Sequence, residues 1–463
     1  MLDQFLVFVD KVNGVIWGPA ALVFLGLVGI YLTVGTKFVH IKNFFKIIKQ
    51  SFSGLNDDKD EKQDGDLTSL QSMFVSLSSV IGMGSVVGVA SALISGGPGA
   101  LLWMWIAAFI GMVIKYSEII LIVMFREQKS DGTYVGGPAL YVRKGLGLKY
   151  LGEVIVVLMV LVCLASAMIQ SNVTVSNMTN IAPHLSNYLY ILAAVNVVIV
   201  GIVIVGGVKR IGSVAEKLIP FMSLFYIIVA TIVIIIHYKD IIPAVQLVFS
   251  SAFSPAEAGA GFAGYGIMKA MQYGIARGFF VSGAGQAVFT VSHAPARVKN
   301  PVEQAVFGVT EVFLVTVVCT FTALALLTSG VELEGKDAGI IVAQVFGDIS
   351  PILGIAVGIA TILFAYSTVI GLGYVGESQL STITSTKKAR IYRYIFLVAV
   401  YIGGIGGLKA IWDLTDVFLG LVMFVNLIVM LLLSKKIFKA SNDYWGDEGQ
   451  SSGLTAGCSK NKK

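Results

Sequence analysis

Gly82-Met83-Gly84-Ser85 interrupts one long apolar stretch, and the run from Gly278 to Gly285, Gly278-Phe279-Phe280-Val281-Ser282-Gly283-Ala284-Gly285, interrupts a second. Each lies inside a run long enough to cross roughly 30 Å of hydrocarbon as a helix. Glycine in a helix interior costs about 1 kcal/mol relative to alanine, so clusters at matching places in two halves of a chain are not casual. Paired Gly-interrupted apolar helices point to a secondary-transporter binding site near the bilayer midplane. Close helix packing through small residues is the competing reading.

The rest of the chain fits a bilayer. Of 463 residues, 56% are hydrophobic and only 13% charged, where soluble domains carry about 25% charged. With a mean hydropathy of +0.84, the apolar residues exceed what one water-solvated core can bury. Apolar runs near 15–36, 68–94, 98–125, 152–178, 187–207, 217–237, 262–293, 303–329, 350–376, 391–408 and 412–434 predict eleven transmembrane helices in an all-α polytopic protein. Their continuity excludes a β-barrel, whose strands are short and alternate in polarity. The first run follows Asp3 without a basic flank and is too long for a signal peptide, so it reads as a retained helix.

Most of the 33 lysines and arginines fall in alternate connections, after spans 1, 3, 5, 7, 9 and 11. Cytoplasmic loops carry this excess, which places the N-terminus outside and the C-terminus inside a multi-pass plasma-membrane protein of prokaryotic type. An odd span count then divides into one helix plus two five-helix repeats of inverted topology, the first helix of each repeat discontinuous. The expected organisation is an N-terminal helix and cytoplasmic linker (1–67), a first repeat (68–237), an extracytoplasmic connection (238–261), a second repeat (262–434) and a cytoplasmic tail (435–463). The linker from Lys37 to Asp66, with its acidic run Asp57-Asp58-Lys59-Asp60-Glu61, reads as a solvated cytoplasmic connection, and the polar segment from Ser441 as disordered.

Other chemistries find little support. Cys163, Cys319 and Cys458 have neither disulfide-framework nor metal spacing, and His40, His184, His237 and His293 are dispersed. No phosphate-cradling loop or nucleophile–base grouping is present, so no enzyme activity, ATP-driven transport or cofactor is expected. The net charge of +6 reports topology and not nucleic-acid binding.

Longer motifs carry a resemblance. Gly82-Met83-Gly84-Ser85-Val86-Val87-Gly88, then Gly96-Gly97-Pro98-Gly99-Ala100, Lys115-Tyr116-Ser117-Glu118, Gly136-Gly137-Pro138, Gln170-Ser171-Asn172, Tyr273-Gly274-Ile275-Ala276-Arg277-Gly278 and Gly376-Glu377 together resemble the alanine or glycine:cation symporter family. The resemblance spans nearly the whole chain and rests on the combination. It implies sodium-coupled symport of a small neutral amino acid by a LeuT-type inverted-repeat fold, with Na⁺ as coupling ion. The chain departs from that family's common pattern at Ser85 (commonly Asn), at Ser282-Gly283 (Asn-Glu), at Val315 (Asp) and at Leu372 (Trp). These departures mark a divergent member.

A zwitterion in low dielectric needs donors for its carboxylate and acceptors for its ammonium, and an unwound helix supplies both. The backbone at Gly82, Met83 and Gly84 is assigned to the carboxylate, with Ser85 beside it, and the carbonyls from Phe280 through Ser282 to Gly283 to the ammonium. The family pattern makes Leu372 a pocket wall, and Gln170 is a candidate for the substrate path. Ser367-Thr368, a hydroxyl pair in an apolar run, is assigned to Na⁺ with the carbonyls of Ser78 and Ile81, the contact being implied by the resemblance. Back-bonding of both hydroxyls to their own helix is the alternative. Arg277 reads as a backbone clamp or gate, and Lys115 and Glu118, three apart, as an ion pair with a structural or gating role. A uniporter or exchanger with reduced ion coupling is the competing function, and a channel or amino-acid sensor the alternative from another class.

Overall fold

Where the apolar runs are broken, the helices end. The structure, a computed structural model, describes residues 9, 11–53, 65–253, 266–333, 338–406 and 409–458. Helix α1 (Pro19–Gly35) and the amphipathic α2 (Phe44–Ser53) precede α3 (Ser69–Val80) and α4 (Val87–Gly96), the two pieces of the first interrupted span. Then come α5 (Ala100–Met124), an antiparallel hairpin of β1 (Glu127–Gln128) and β2 (Tyr134–Val135), α6 (Pro138–Leu146), α7 (Lys149–Ile181), α8 (Leu189–Ile204) and α9 (Gly207–Ile236). The remainder holds α10 (Ile241–Phe253), α11 (Ile267–Ser282), α12 (Pro301–Thr328), α13 (Ala338–Ile349), α14 (Pro351–Ile383), α15 (Tyr392–Ile405), α16 (Lys409–Leu432) and α17 (Ser434–Cys458).

Among the described residues, eight helices are long and apolar enough to cross a membrane, against eleven expected. The other three expected spans appear as shorter pieces. The first break leaves helices of 12 and 10 residues, α11 has 16 residues and α15 has 14. Large side chains on the long helices, such as Val154 and Val157 of α7 or Phe221 and Leu224 of α9, stand exposed, as surfaces facing lipid do.

Two expectations about the ends are corrected. The linker after the first span carries α2, whose Ser51 bonds Thr310 at 2.8 Å and whose Ile47 is buried; its acidic run lies outside the described residues. The segment from Ser441, expected to be disordered, continues α17. Ile437, Ser441, Tyr444 and Trp445 recur at helical spacing, and Ser441 and Trp445 both bond the Tyr116 hydroxyl, at 2.9 and 3.2 Å. Average polarity concealed that apolar stripe. The opposite end of the chain closes the ring: the Asn13 amide donates to the Asp413 carbonyl (2.8 Å) and the Trp17 indole to that of Asp416 (3.3 Å).

Candidate functional site

Helix α3 starts with a capping box, Thr68 and Gln71 satisfying each other's backbone N–H, and stops at Val80. Ile81 is its C-cap, and Met83–Ser85 form one 3₁₀ turn before α4. Helix α14 lies directly on this break. A Cβ at Gly371 would stand 2.6 Å from Ser78 Oγ, and one at Gly82 would collide with Thr368 Oγ1 while lying 3.6 Å from Gln170 Nε2. Ser78, Gly82, Gln170, Ser367 and Thr368 are thus brought together. Ser367 Oγ donates to the Phe364 carbonyl at 2.8 Å and sits 3.5 Å from that of Ser78; Thr368 Oγ1 donates to Phe364 at 3.0 Å. The back-bonding reading and the cation reading are compatible, because a hydroxyl that spends its hydrogen on a carbonyl keeps lone pairs for a cation.

The second break begins later than the glycines suggested. Gly274 and Gly278 remain helical, and a Cβ at Gly278 would stand 3.1 Å from the Met104 backbone of α5, so these two serve close packing. The helix ends at Gly283, with φ +66°, followed by Gly285 at +83° and Ala287 at +57°, backbone that disfavours side chains. The carbonyls of its last turn are occupied from within. The buried Gln286 amide donates to Phe279 (3.2 Å) and Phe280 (3.4 Å), and Lys115 Nζ donates to Ser282 (3.2 Å).

Lys115 does not form its ion pair with Glu118. It pairs with Glu311 of α12 at 2.7 Å, because α12 brings a carboxylate against it while Glu118 is taken up by other donors. Glu118 Oε1 instead accepts from the Ala287 amide (3.2 Å) and from Asn426 Nδ2 (2.5 Å), while Asn426 also donates to Gly285 (2.9 Å) and accepts from the Tyr141 hydroxyl.

A cavity of about 480 Å³ opens beside the first break, lined by Gly84, Gln170, Phe280, Arg277, Trp412 and Asp416 among others. The Arg277 guanidinium lies 5.6 Å from the centre of the Phe280 ring. Ser85, Ser282, Gly283 and Leu372 do not line it. Ser85 is buried and its carbonyl accepts from Thr322 at 3.0 Å, and Leu372 is fully buried in the core. Asn172 touches the cavity but spends its amide on Gly406 (2.7 Å), and Ser171 bonds Val400 (2.7 Å). Asp416, Gln286, Glu311 and His293 were not foreseen. Asp416 alone left a trace, as an acid at the start of an apolar run.

On the arginine-rich face the segment that leads into α3 is stitched to the segment that follows the second break. Leu67 and Ala296 form a parallel bridge, Asp66 N donates to Pro295 (2.8 Å), and Arg126 donates to the carbonyls of Ala294, Ala296 and Val298. Asp66 Oδ2 accepts from Tyr134 N at 2.8 Å, and burial pushes its carboxyl above the ordinary value. Arg393 grips both oxygens of Glu377, at 2.6 and 2.7 Å.

A family profile described as the sodium:alanine symporter family matches residues 2–455. The chain belongs to the sodium:alanine symporter family. Within that symporter family it is 34% identical to "Sodium/alanine symporter AgcS" of Methanococcus maripaludis, over 93% of this chain and 95% of that one. It is 33% identical to "Uncharacterized transporter YflA" of Bacillus subtilis, over 96% and 95%. "Probable sodium/glutamine symporter GlnT" of Bacillus subtilis is 31% identical, over 93% and 89%. Among solved structures, MhsT in complex with L-phenylalanine is similar in fold, with a TM-score of 0.59 at 14% identity, covering 82% of this chain and 93% of that one. The symporter is a multi-pass membrane transporter and not an enzyme, as the family and the long apolar helices together require.

Proposed function

We propose that the chain carries a small neutral amino acid together with Na⁺ across a prokaryotic plasma membrane by alternating access. In this reading eleven spans form one helix plus two inverted five-helix repeats, with the N-terminus outside and the C-terminus in the cytoplasm. The observation that carries the proposal is the meeting of Ser367 and Thr368 with the first break, where Thr368 Oγ1 abuts Gly82 and Ser367 Oγ approaches the Ser78 carbonyl. Na⁺ would sit among those hydroxyls and the carbonyls of Ser78 and Ile81. The substrate carboxylate would meet the backbone of Gly82, Met83 and Gly84, next to Ser85 and Gln170, and the ammonium the acceptors left open between Phe280, Ser282 and Gly283. Leu372 would limit side-chain size from behind the site. Names of relatives support both partners: AgcS is named for sodium and alanine, GlnT for sodium and glutamine.

Uptake of radiolabelled L-alanine and L-glutamine into proteoliposomes, with and without an inward Na⁺ gradient, tests this. Gradient-driven accumulation is expected. Equal uptake without Na⁺ would favour a uniporter or exchanger, currents of single-channel size a channel, and binding without flux a sensor.

A further inference from the structure

Two fully buried charges lie between the breaks. Lys115 of α5 and Glu311 of α12 are both 0% exposed and 2.7 Å apart. Each reaches a different interrupted span. Lys115 Nζ donates to the Ser282 carbonyl at the end of α11 (3.2 Å), while Glu311 Oε2 accepts from Ser76 Oγ of α3 (2.8 Å), two residues before Ser78. Ser76 also lies within reach of the Phe289 carbonyl (3.1 Å) beyond the second break.

The remaining oxygen of Glu311 faces His293 Nε2 at 2.8 Å. Gln304 Nε2 donates to the Ser69 carbonyl (3.2 Å) and lies 2.8 Å from His293 Nδ1. The Gln304 amide and the His293 ring thus lie beside the pair and connect it to the start of α3. The buried cluster sets the Lys115 ammonium against the Glu311 carboxylate. Charges so deep are tolerated when paired and hydrogen-bonded on all sides.

We infer that Lys115 and Glu311 are positioning residues that cross-tie the two breaks: the ammonium fixes the Ser282 carbonyl, the carboxylate fixes Ser76, and their contact sets the spacing between substrate and sodium ligands. The inference rests on the symport reading for its functional consequence, and on geometry alone for the tie. Removing one partner leaves a lone buried charge and destabilises the fold, whereas replacing both with apolar groups of similar volume is often neutral. The informative variants are therefore the double substitution Lys115→Met with Glu311→Met, and Ser76→Ala alone, which deletes a single hydroxyl.

Hydrogen exchange in lipid nanodiscs reads the tie without reference to transport. Backbone amides of residues 283–289 should exchange at least tenfold faster in the double variant, and unchanged exchange overturns the tie. Alanine uptake in proteoliposomes reads the consequence. The KM for Na⁺ should rise at least tenfold in the double variant and about threefold in Ser76→Ala, with maximal rates within twofold of wild type. A wild-type sodium KM in Ser76→Ala overturns the positioning role whether or not the double variant folds. Loss of sodium dependence in the unmodified protein would instead overturn the symport reading, and the exchange result would then stand on its own.

Discussion

Thr368 Oγ1 occupies the space that a side chain on residue 82 would need. The glycine at the first break is therefore required by its neighbour on α14 as much as by its own backbone. Gly82→Ala should lower sodium-dependent uptake at least tenfold, about 1.4 kcal/mol or more in binding terms. Combining it with Thr368→Ala should recover thermal stability without recovering sodium dependence. Full recovery of both would remove Thr368 from the ion site.

Ser367 and Thr368 each keep lone pairs after donating to Phe364. Alanine at either position should raise the KM for Na⁺ roughly tenfold, a loss of about 1.4 kcal/mol, with a small effect on unfolding temperature because a helix-internal hydroxyl bond contributes little. A double alanine variant with wild-type sodium activation would refute the assignment.

Arg277 of α11 and Asp416 of α16 line the same cavity from two sides. We expect them to approach each other when the cavity closes over its cargo. Arg277→Gln and Asp416→Asn should each slow uptake about tenfold, and the double variant should be little worse than either, the non-additivity that marks a shared interaction. Additive losses measured in a double-mutant cycle would show that the two act separately.

The Asp66 region should respond to acid. Burial raises its carboxyl pKa, opposed by the Tyr134 amide and by Lys209 and Arg297, and reinforced by Asp131. A group whose pKa is raised in the docked arrangement binds protons more tightly there than when released. Docking is therefore strengthened as pH falls through that raised value and weakened as pH rises above it. Hydrogen exchange at Leu67 and Arg297 should slow as the pH on the arginine-rich face is lowered from neutral through the raised carboxyl value, and Asp66→Asn should abolish the dependence. A wild-type profile that is flat, or of opposite slope once corrected for intrinsic exchange, would contradict it.

Leu372 is fully buried, so Leu372→Trp must displace its neighbours. A cost of about 1–3 kcal/mol is expected for such overpacking, read as a lowered unfolding temperature. If the side chain also bounds the substrate site, competition assays should show the range narrowing toward glycine and alanine. An unchanged range would leave residue 372 with packing alone.

The first break was legible because glycines cluster there inside an otherwise apolar run; the hydroxyls of Ser367-Thr368 stand out against Phe364 and Val369, but their contact with the break came from the family resemblance alone. The second break lies inside the run from Gly278 to Gly285, but only in its C-terminal part. Gly274 and Gly278 look no different in sequence from Gly283 and Gly285, yet the first two admit the backbone of α5 and the last two turn the chain. Spacing on one helix suggested Lys115 with Glu118, and only tertiary packing could supply Glu311. The helical continuation past Ser441 was missed because its few apolar residues were averaged with polar ones.

The bonds from Asn13 to Asp413 and from Trp17 to Asp416 join residues about 400 positions apart in the chain. A ribosome adding roughly 5–20 residues per second needs roughly 20–80 s to make the second partner after the first. Throughout that interval the segment around Trp17 stands in the bilayer without its final neighbours. Its survival then depends on lipid, on provisional contacts, or on the insertion machinery, so the order of synthesis becomes a constraint on which early helices this transporter can tolerate.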